Sequence, residues 1–69
     1  MATKVMFEDS KMIVLLSDGR EVAVPIDWFP KLRDASETER NHWRLIGNGQ
    51  GIHWPDLDED VSVSGLLQG

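Results

Sequence analysis

The chain has 69 residues, no cysteine and a formal net charge of −5. This length allows a single domain, 1–69, that buries only roughly 60% of the surface of its unfolded form. Disulfides and thiolate metal sites are excluded, so reinforcement has to come from the three tryptophans and two phenylalanines or from self-association. No apolar stretch approaches the length of a membrane span or signal peptide. We expect a cytoplasmic protein, as a monomer or small homo-oligomer.

The charges are distributed unevenly along the chain. Residues 1–44 carry all seven basic residues and eight acidic ones, whereas residues 45–69 carry four acidic residues and no Lys or Arg. A nucleic-acid-binding protein would show a basic stripe, so we expect no direct nucleic-acid contact. The asymmetry permits binding to a basic protein surface. Solubility alone explains the net charge equally well.

The first half of the chain predicts strands. Residues 4–7 and 12–16 are short apolar runs separated by a turn cluster at 8–10. Asp18-Gly19 then predicts a hairpin with a type I′ turn. Apolar residues alternate along residues 21–26, as in a half-buried strand that ends near a proline. Together these segments predict a three-stranded antiparallel meander that needs a cover on one face.

The first segment of that cover is predicted to be a helix over residues 28–34. Asp27 is a suitable N-cap, and Pro30 falls in the first turn, where a missing N–H costs nothing. Trp28 and Leu32 are four residues apart and would share one face of this helix.

A second helix is predicted over residues 37–45. Ser36 and Glu39 have the spacing of a capping box, in which each side chain binds the backbone N–H of the other residue. Trp43 and Ile46 would then face the sheet.

The C-terminal third predicts mainly extended chain. The glycines of segment 47–51 lack the Lys and Ser/Thr of a phosphate-binding loop, so they indicate a helix C-cap and a tight turn. Residues 52–54 are a fourth short strand or an extended segment, and 60–63 continue extended. Ser64 can cap a last turn over 65–68. The predicted fold is α+β: a three-stranded antiparallel meander packed by two short helices, with a C-terminal extended segment and a short helical turn.

Candidate chemistry is concentrated in W-P-D-L-D-E-D, residues 54–60. The segment begins like an EF-hand loop but has Val61 where glycine is required and Leu67 where a bidentate glutamate is required, so an EF-hand is excluded. Asp58 or Asp60 could accept backbone N–H bonds in an Asx-turn that shapes the loop. The remaining alternatives are a weak divalent-cation site and a negatively charged surface for a partner.

Two histidines raise the possibility of catalysis. His53 lies three residues before Asp56, so a His–carboxylate pair in a small metal-dependent hydrolase is one hypothesis. The spacing of His42 and His53 matches no standard zinc pattern, and no serine or threonine has a recognisable nucleophile setting. We therefore expect no catalytic residue, no metal ligand and no cofactor, and we predict that the protein is not an enzyme.

The tryptophans could stack on bases, but no basic groove accompanies them. A place in the core or at its edge is the simpler interpretation. Trp54 and Pro55 would then anchor the loop of residues 54–60 to the core. A partly exposed Trp54 could serve as an interface anchor residue, because tryptophan is enriched among binding hot spots.

The order of motifs resembles a known family. D-G-R with V-x-V-P, then W-F-P-K-L-R-D-A, S-E-T-E-R, G-x-G-x-G-I-H-W-P-D-L-D-E-D and a closing G-L-L are similar to the bacterial "domain of unknown function 2442" family. The resemblance spans nearly the whole chain, and its most specific part is residues 51–60. It implies a small protein, often one partner of a two-gene cassette resembling a toxin–antitoxin pair. The family provides no catalytic residues to transfer.

A second, looser resemblance is to small acidic anti-CRISPR proteins that act as DNA mimics. In such proteins carboxylates occupy a Lys/Arg surface made for phosphates. We therefore hypothesise a non-catalytic inhibitor of a CRISPR effector subunit, or alternatively an antitoxin or accessory protein against a nuclease-like toxin. An autoregulating antitoxin with DNA contact would need its basic residues to converge on one face. The candidate partner-binding acids are Asp56, Asp58, Glu59, Asp60, Glu37 and Glu39.

Overall fold

The computed structural model describes residues 1–68, which form two three-stranded antiparallel sheets and three short α-helices. The N-terminal sheet contains β1 (Ala2–Glu8), β2 (Lys11–Leu16) and β3 (Glu21–Pro25), in that order. The C-terminal sheet contains β4 (Arg44–Ile46), β5 (Gly51–Trp54) and β6 (Glu59–Ser62), in that order. The helices are α1 (Pro30–Arg33), α2 (Glu37–Asn41) and α3 (Val63–Gln68). The predicted α+β class and N-terminal meander are confirmed, and a second sheet is added to them.

The N-terminal sheet buries one face through the period-two pattern of its strands. In β2, Met12, Val14 and Leu16 are buried while the residues between them are more exposed. Val24 of β3 lies opposite Met12, and Val5 of β1 lies opposite Val14. The buried face therefore contains apolar side chains from all three strands, as the alternation predicts.

The two N-terminal hairpins use different turn chemistry. Asp9 and Ser10 have φ values of 49° and 66°, so the two-residue turn with two left-handed residues lies here, between Glu8 and Lys11. Asp18-Gly19 does make a hairpin, but only Gly19, with φ of 93°, is left-handed. The predicted type I′ turn at Asp18-Gly19 is wrong because the loop there has four residues, 17–20, and needs only one left-handed position.

The predicted helix over residues 28–34 is interrupted. Ile26–Trp28 form a single 3-10 turn, and α1 begins only at Pro30. The break falls at Phe29, with φ −129° and ψ 81°, because a residue before proline is disfavoured in the helical region. Asp27 lies within the 3-10 turn and is not an N-cap. The break also separates Trp28, which is 52% exposed, from the fully buried Leu32.

Helix α2 begins as predicted but ends early. The Ser36 hydroxyl accepts the Glu39 N–H at 3.1 Å, and the Glu39 carboxylate accepts the Ser36 N–H at 2.9 Å. The helix stops at Asn41, and residues 44–46 pair with β5 as strand β4. The predicted end at residue 45 is therefore wrong. Ile46, predicted to face a sheet, is 43% exposed.

A glycine-containing turn connects β4 to β5. Gly47, Asn48 and Gly49 have φ values of 59°, 58° and 89°, so they reverse the chain within a hairpin. The predicted tight turn is confirmed, whereas the predicted helix C-cap is not, because a strand precedes it. A Cβ at Gly49 would lie 2.6 Å from the carbonyl oxygen of Ala2. Glycine is therefore required where the turn touches the start of the N-terminal sheet.

One apolar core joins the two sheets and the helices. Trp54 of β5 is fully buried, and its ring meets Phe7 of β1 edge-on, with centroids 6.4 Å apart. The Trp54 indole N–H donates to the carbonyl of Arg40 at 2.8 Å, which gives a partner to a carbonyl at the end of α2. The buried apolar side chains are Ala2, Val5, Met12, Val14, Leu16, Val24, Ile26, Leu32, Ile52, Trp54, Val61, Val63 and Leu66.

The C-terminal helix begins earlier than predicted. The Ser62 hydroxyl accepts the N–H of Gly65 at 3.4 Å and lies 3.0 Å from the hydroxyl of Ser64. Ser62, and not Ser64, is therefore the side chain that binds the first turn of α3. None of the helices within residues 1–68 has the length and apolarity needed to cross a membrane.

Candidate functional site

The segment rich in carboxylates forms the turn and second strand of the β5–β6 hairpin. Trp54 pairs with Glu59, and residues 55–58 close the turn. The Leu57 N–H donates to the Trp54 carbonyl at 3.2 Å, and the half-buried Leu57 side chain packs against the core. The turn is thus held on a buried tryptophan, as predicted. We call residues 54–60 the acidic hairpin.

Both histidines bind carboxylates of the acidic hairpin. His53 Nδ1 lies 2.5 Å from Asp60 Oδ1, and His42 Nδ1 lies 2.7 Å from Asp56 Oδ2. His53 and Asp60 are opposite each other on β5 and β6, so their side chains project on the same face. The predicted pairing of His53 with Asp56 is wrong, because strand register places Asp60 beside His53 while Asp56 lies in the turn.

The other two carboxylates of the hairpin differ in their surroundings. Asp58 is left-handed, with φ of 52°, and its carboxylate makes no hydrogen bond within residues 1–68. Its backbone carbonyl is 3.5 Å from Lys31 Nζ. The Glu59 carboxylate accepts the N–H of Asp60 at 3.2 Å. The expected Asx-turn is therefore absent within the described hairpin, and the side chain that binds its backbone is Glu59.

Within residues 1–68, no lysine or arginine forms a salt bridge with any carboxylate of the acidic hairpin. Two arginines bind carboxylates outside the hairpin. Arg20 Nε lies 2.7 Å from Asp18 Oδ2, and Arg33 Nε lies 3.0 Å from Asp34 Oδ1. Arg40 donates to backbone carbonyls at the end of α1. Within the described part of the chain, the side chains that hydrogen-bond to the hairpin carboxylates are the imidazoles of His42 and His53.

The paired acids outside the hairpin have perturbed pKa values. The backbone N–H of Arg20, followed by its side chain, holds the pKa of Asp18 below the usual value. A hydrogen bond from the Arg33 side chain lowers the pKa of Asp34, and the same contact raises the pKa of Arg33. These contacts are local, between residues one or two positions apart.

The predicted acids of α2, Glu37 and Glu39, lie in the first turn of the helix. Glu39 is occupied in the capping box, and Glu37 is exposed in the first turn. The hairpin instead meets the end of the helix, through His42 and the carbonyl of Arg40. No hydrogen bond or ion pair within residues 1–68 links Glu37 or Glu39 to residues 54–60.

The donor groups of residues 1–68 fit neither a metal site nor a catalytic triad. No three His, Asp or Glu side chains of this part of the chain converge as metal ligands. The His42 and His53 rings each bind one carboxylate, and no hydroxyl of the described residues hydrogen-bonds to either ring. A nucleophile activated by a histidine needs that contact.

Tryptophan exposure agrees with the core interpretation at Trp54 and departs from it at Trp28. Trp54 has no accessible surface, so the alternative of a partly exposed anchor residue is wrong, whereas Trp28 is 52% exposed. Trp28 and Phe29 line a groove of about 330 Å³ together with Asp60 and Val61 of β6. The signal for this feature was Phe29-Pro30, because the break before proline turns Trp28 away from the face of Leu32.

Comparisons with known proteins agree with the resemblance in the sequence. The model of the family "Protein of unknown function (DUF2442)" matches residues 2–69. The crystal structure of a protein of unknown function from Rhodospirillum rubrum ATCC 11170 is similar, with a TM-score of 0.82 and 33% sequence identity. The match covers 99% of this chain and 84% of that chain.

A search of curated proteins returns no match to this sequence. The matches concern a family of unknown function and do not include anti-CRISPR proteins. A family match over residues 2–69 is sufficient to assign membership, and the chain belongs to the DUF2442 family.

Proposed function

We propose that this protein is a non-catalytic binding module that presents the acidic hairpin to a basic surface of a nucleic-acid-handling protein. The observation that supports this function is the lack, within residues 1–68, of any lysine or arginine paired with the hairpin carboxylates. The contacting groups are the carboxylates of Asp56, Asp58, Glu59 and Asp60.

The physical basis is charge complementarity at a surface made for phosphates. A nucleic-acid groove binds its ligand largely through Lys and Arg, and displaces counterions as it does so. Four carboxylates held on a hairpin with a buried tryptophan at its base form a pre-positioned negative surface. Such a surface increases the association rate with a basic partner and is screened over about 8 Å at physiological ionic strength.

Two versions of this function differ in the partner. In the first, the hairpin acts as a DNA mimic that blocks a CRISPR effector subunit, in the manner of anti-CRISPR proteins. In the second, it neutralises a nuclease-like toxin encoded beside it. The resemblance stated from the sequence implies one partner of a two-gene cassette, and this expectation favours the second version. A non-catalytic role is supported in both by the histidine–carboxylate pairs, which bind no third catalytic group within residues 1–68.

The test is capture of partners from native lysate of the source cells at low and high salt. The Asp58→Lys, Asp60→Lys variant raises the net charge from −5 by 4, to −1. The matched control is Glu8→Lys, Glu21→Lys, which makes the same change on exposed residues of the N-terminal sheet. We expect the wild type and the control to capture a basic nuclease or nucleic-acid-binding protein at low salt, and the hairpin variant to lose it.

Equal loss in both variants would show that net charge alone matters, which contradicts a role for the hairpin. Capture that survives in the hairpin variant contradicts the proposed function directly. Identification of the captured protein then distinguishes a CRISPR effector subunit from a toxin.

A further inference from the structure

The outer edge of β6 borders a groove that the sequence did not predict. Strand order β4-β5-β6 leaves one side of β6 unpaired by any strand within residues 1–68. Asp60, Val61 and Ser62 all line the groove. Successive side chains of a strand point to opposite faces, so three consecutive residues border one groove only if it runs along the strand edge.

Aromatic side chains also line this groove. Trp28 is 52% exposed and Phe29 is half-buried, and Leu66 of α3 belongs to the same lining. An exposed tryptophan beside a strand edge is suited to bind an apolar side chain of an added strand, and tryptophan is the residue most enriched in binding hot spots. Four residues of β6 at about 3.3 Å each provide an edge of about 13 Å, enough for a short extended segment.

The negative charge of Asp58 and Asp60 favours a basic segment as the occupant of the groove. The Asp60 side chain is 67% exposed and lies in the groove wall, with the unpaired Asp58 carboxylate two residues before it. An acidic segment would be repelled at this edge, whereas alternating Lys or Arg would meet these carboxylates. A second copy of the chain also has a net charge of −5 and is disfavoured for the same reason.

We infer that the groove binds an extended basic segment of the partner protein, which adds a fourth strand to the C-terminal sheet at β6. Backbone hydrogen bonds to β6 hold the segment, an apolar side chain packs on Trp28, and its basic side chains lie beside Asp58 and Asp60. Strand addition at an exposed sheet edge is an established mode of peptide recognition. The inference rests on the proposed function and specifies which part of the partner the protein recognises.

The test uses a synthetic peptide, acetyl-Lys-Val-Lys-Leu-Lys-Val-amide, titrated into the ¹⁵N-labelled protein. We expect shifts of the Trp28 indole N–H and of the backbone amides of residues 59–62. Two controls separate strand addition from charge: peptides N-methylated at alternate residues in either register, and the acetyl-Glu-Val-Glu-Leu-Glu-Val-amide analogue. Blocking the peptide N–H groups that face β6 should abolish binding while charge is retained, and the glutamate peptide should not bind.

Two protein variants test whether the peptide binds in the groove. Trp28→Ala should weaken binding of the lysine peptide by about tenfold or more, because truncated hot-spot residues cost more than 1 kcal/mol. Leu67→Ala removes an apolar side chain of similar exposure, 51%, outside this groove and should leave the affinity unchanged.

Several results would overturn the inference. Equal binding of the N-methylated peptides, with shifts confined to residues 56–60, would indicate charge attraction without strand addition. An absence of shifts at millimolar peptide would exclude the basic segment, and concentration-dependent shifts of 59–62 without peptide would identify a second copy as the occupant. If salt-sensitive partner capture persists in Trp28→Ala while the peptide fails to bind, the groove is wrong and the proposed function stands. If the peptide binds but the hairpin variant still captures the partner, the proposed function fails instead.

Discussion

The two sheets share an architecture and differ in the length of their strands and in the partners of the nearby acidic side chains. Both are three-stranded and antiparallel, but the N-terminal strands have seven, six and five residues, whereas the C-terminal strands have three, four and four. In the N-terminal half, the acids that form side-chain ion pairs, Asp18 and Asp34, are paired with arginines. Within residues 1–68, the acids of the hairpin that form such pairs, Asp56 and Asp60, are paired with histidines. The longer sheet contributes more of the buried core, and the shorter one carries the clustered carboxylates and the strand edge that borders the groove.

The largest expected loss of stability comes from the contact between the two sheets, at Trp54. Trp54→Ala should reduce the free energy of unfolding by about 3–5 kcal/mol, because it empties a fully buried site and removes the indole donor to Arg40. That loss approaches the whole stability of a small domain, about 5 kcal/mol at the low end. Urea unfolding followed by circular dichroism measures it.

The matched control for this change is Trp28→Ala, at a tryptophan that is 52% exposed. We expect a loss below about 1 kcal/mol there, as for substitutions away from the core. Similar losses in the two variants would contradict the assignment of Trp54 to the core and of Trp28 to the surface.

A pair of glycines, one in each half, sharpens the comparison. Gly49 and Gly19 have similar positive φ values, 89° and 93°, so alanine is strained by this φ at both positions. A Cβ at Gly49 would also lie 2.6 Å from the Ala2 carbonyl oxygen, whereas a Cβ at Gly19 meets nothing within 4 Å. Gly19→Ala should cost about 1 kcal/mol through strain alone, and Gly49→Ala about 1–3 kcal/mol more through overlap.

The same denaturation measurement applies to both glycine variants. The difference between their losses of unfolding free energy reports how closely the β4–β5 turn packs on the N-terminal sheet. Equal costs would mean that the turn can move away from Ala2 without loss.

The N-terminal sheet was predictable because its information is local. The apolar run Met12–Leu16, the alternation along residues 21–26 and the turn residues between these segments specify strands without reference to the rest of the chain. β4 was missed because the capping box at Ser36 favours a helix and the three residues Arg44–Ile46 carry no period of their own. They are a strand because β5 supplies their hydrogen-bond partners, which is a contact that no local pattern encodes.

The candidate site was predictable in composition but not in geometry. The run of acids and the role of Trp54 as the base of the loop could be read from residues 54–60. The partners of the carboxylates could not, because the pairing of His53 with Asp60 depends on strand register and that of His42 with Asp56 on where α2 ends. The exposed Trp28 groove depends on how three separate elements pack.

The smallest expected effect on stability concerns Asp18, one of the two acids of the N-terminal half that are paired with an arginine. The folded-state pKa of Asp18 is lowered, first by the backbone N–H of Arg20, so its stabilising contribution is present above the unfolded pKa of about 3.8 and is lost as the pH falls through the folded value. Asp18→Asn should therefore make the stability less pH-dependent below about pH 4, as measured by thermal unfolding between pH 2 and 6. Arg20→Gln keeps the backbone donor and should retain most of the pH dependence. If Arg20→Gln removed it as completely as Asp18→Asn, the guanidinium would be the dominant partner, and charge pairing would matter more in this sheet than turn geometry.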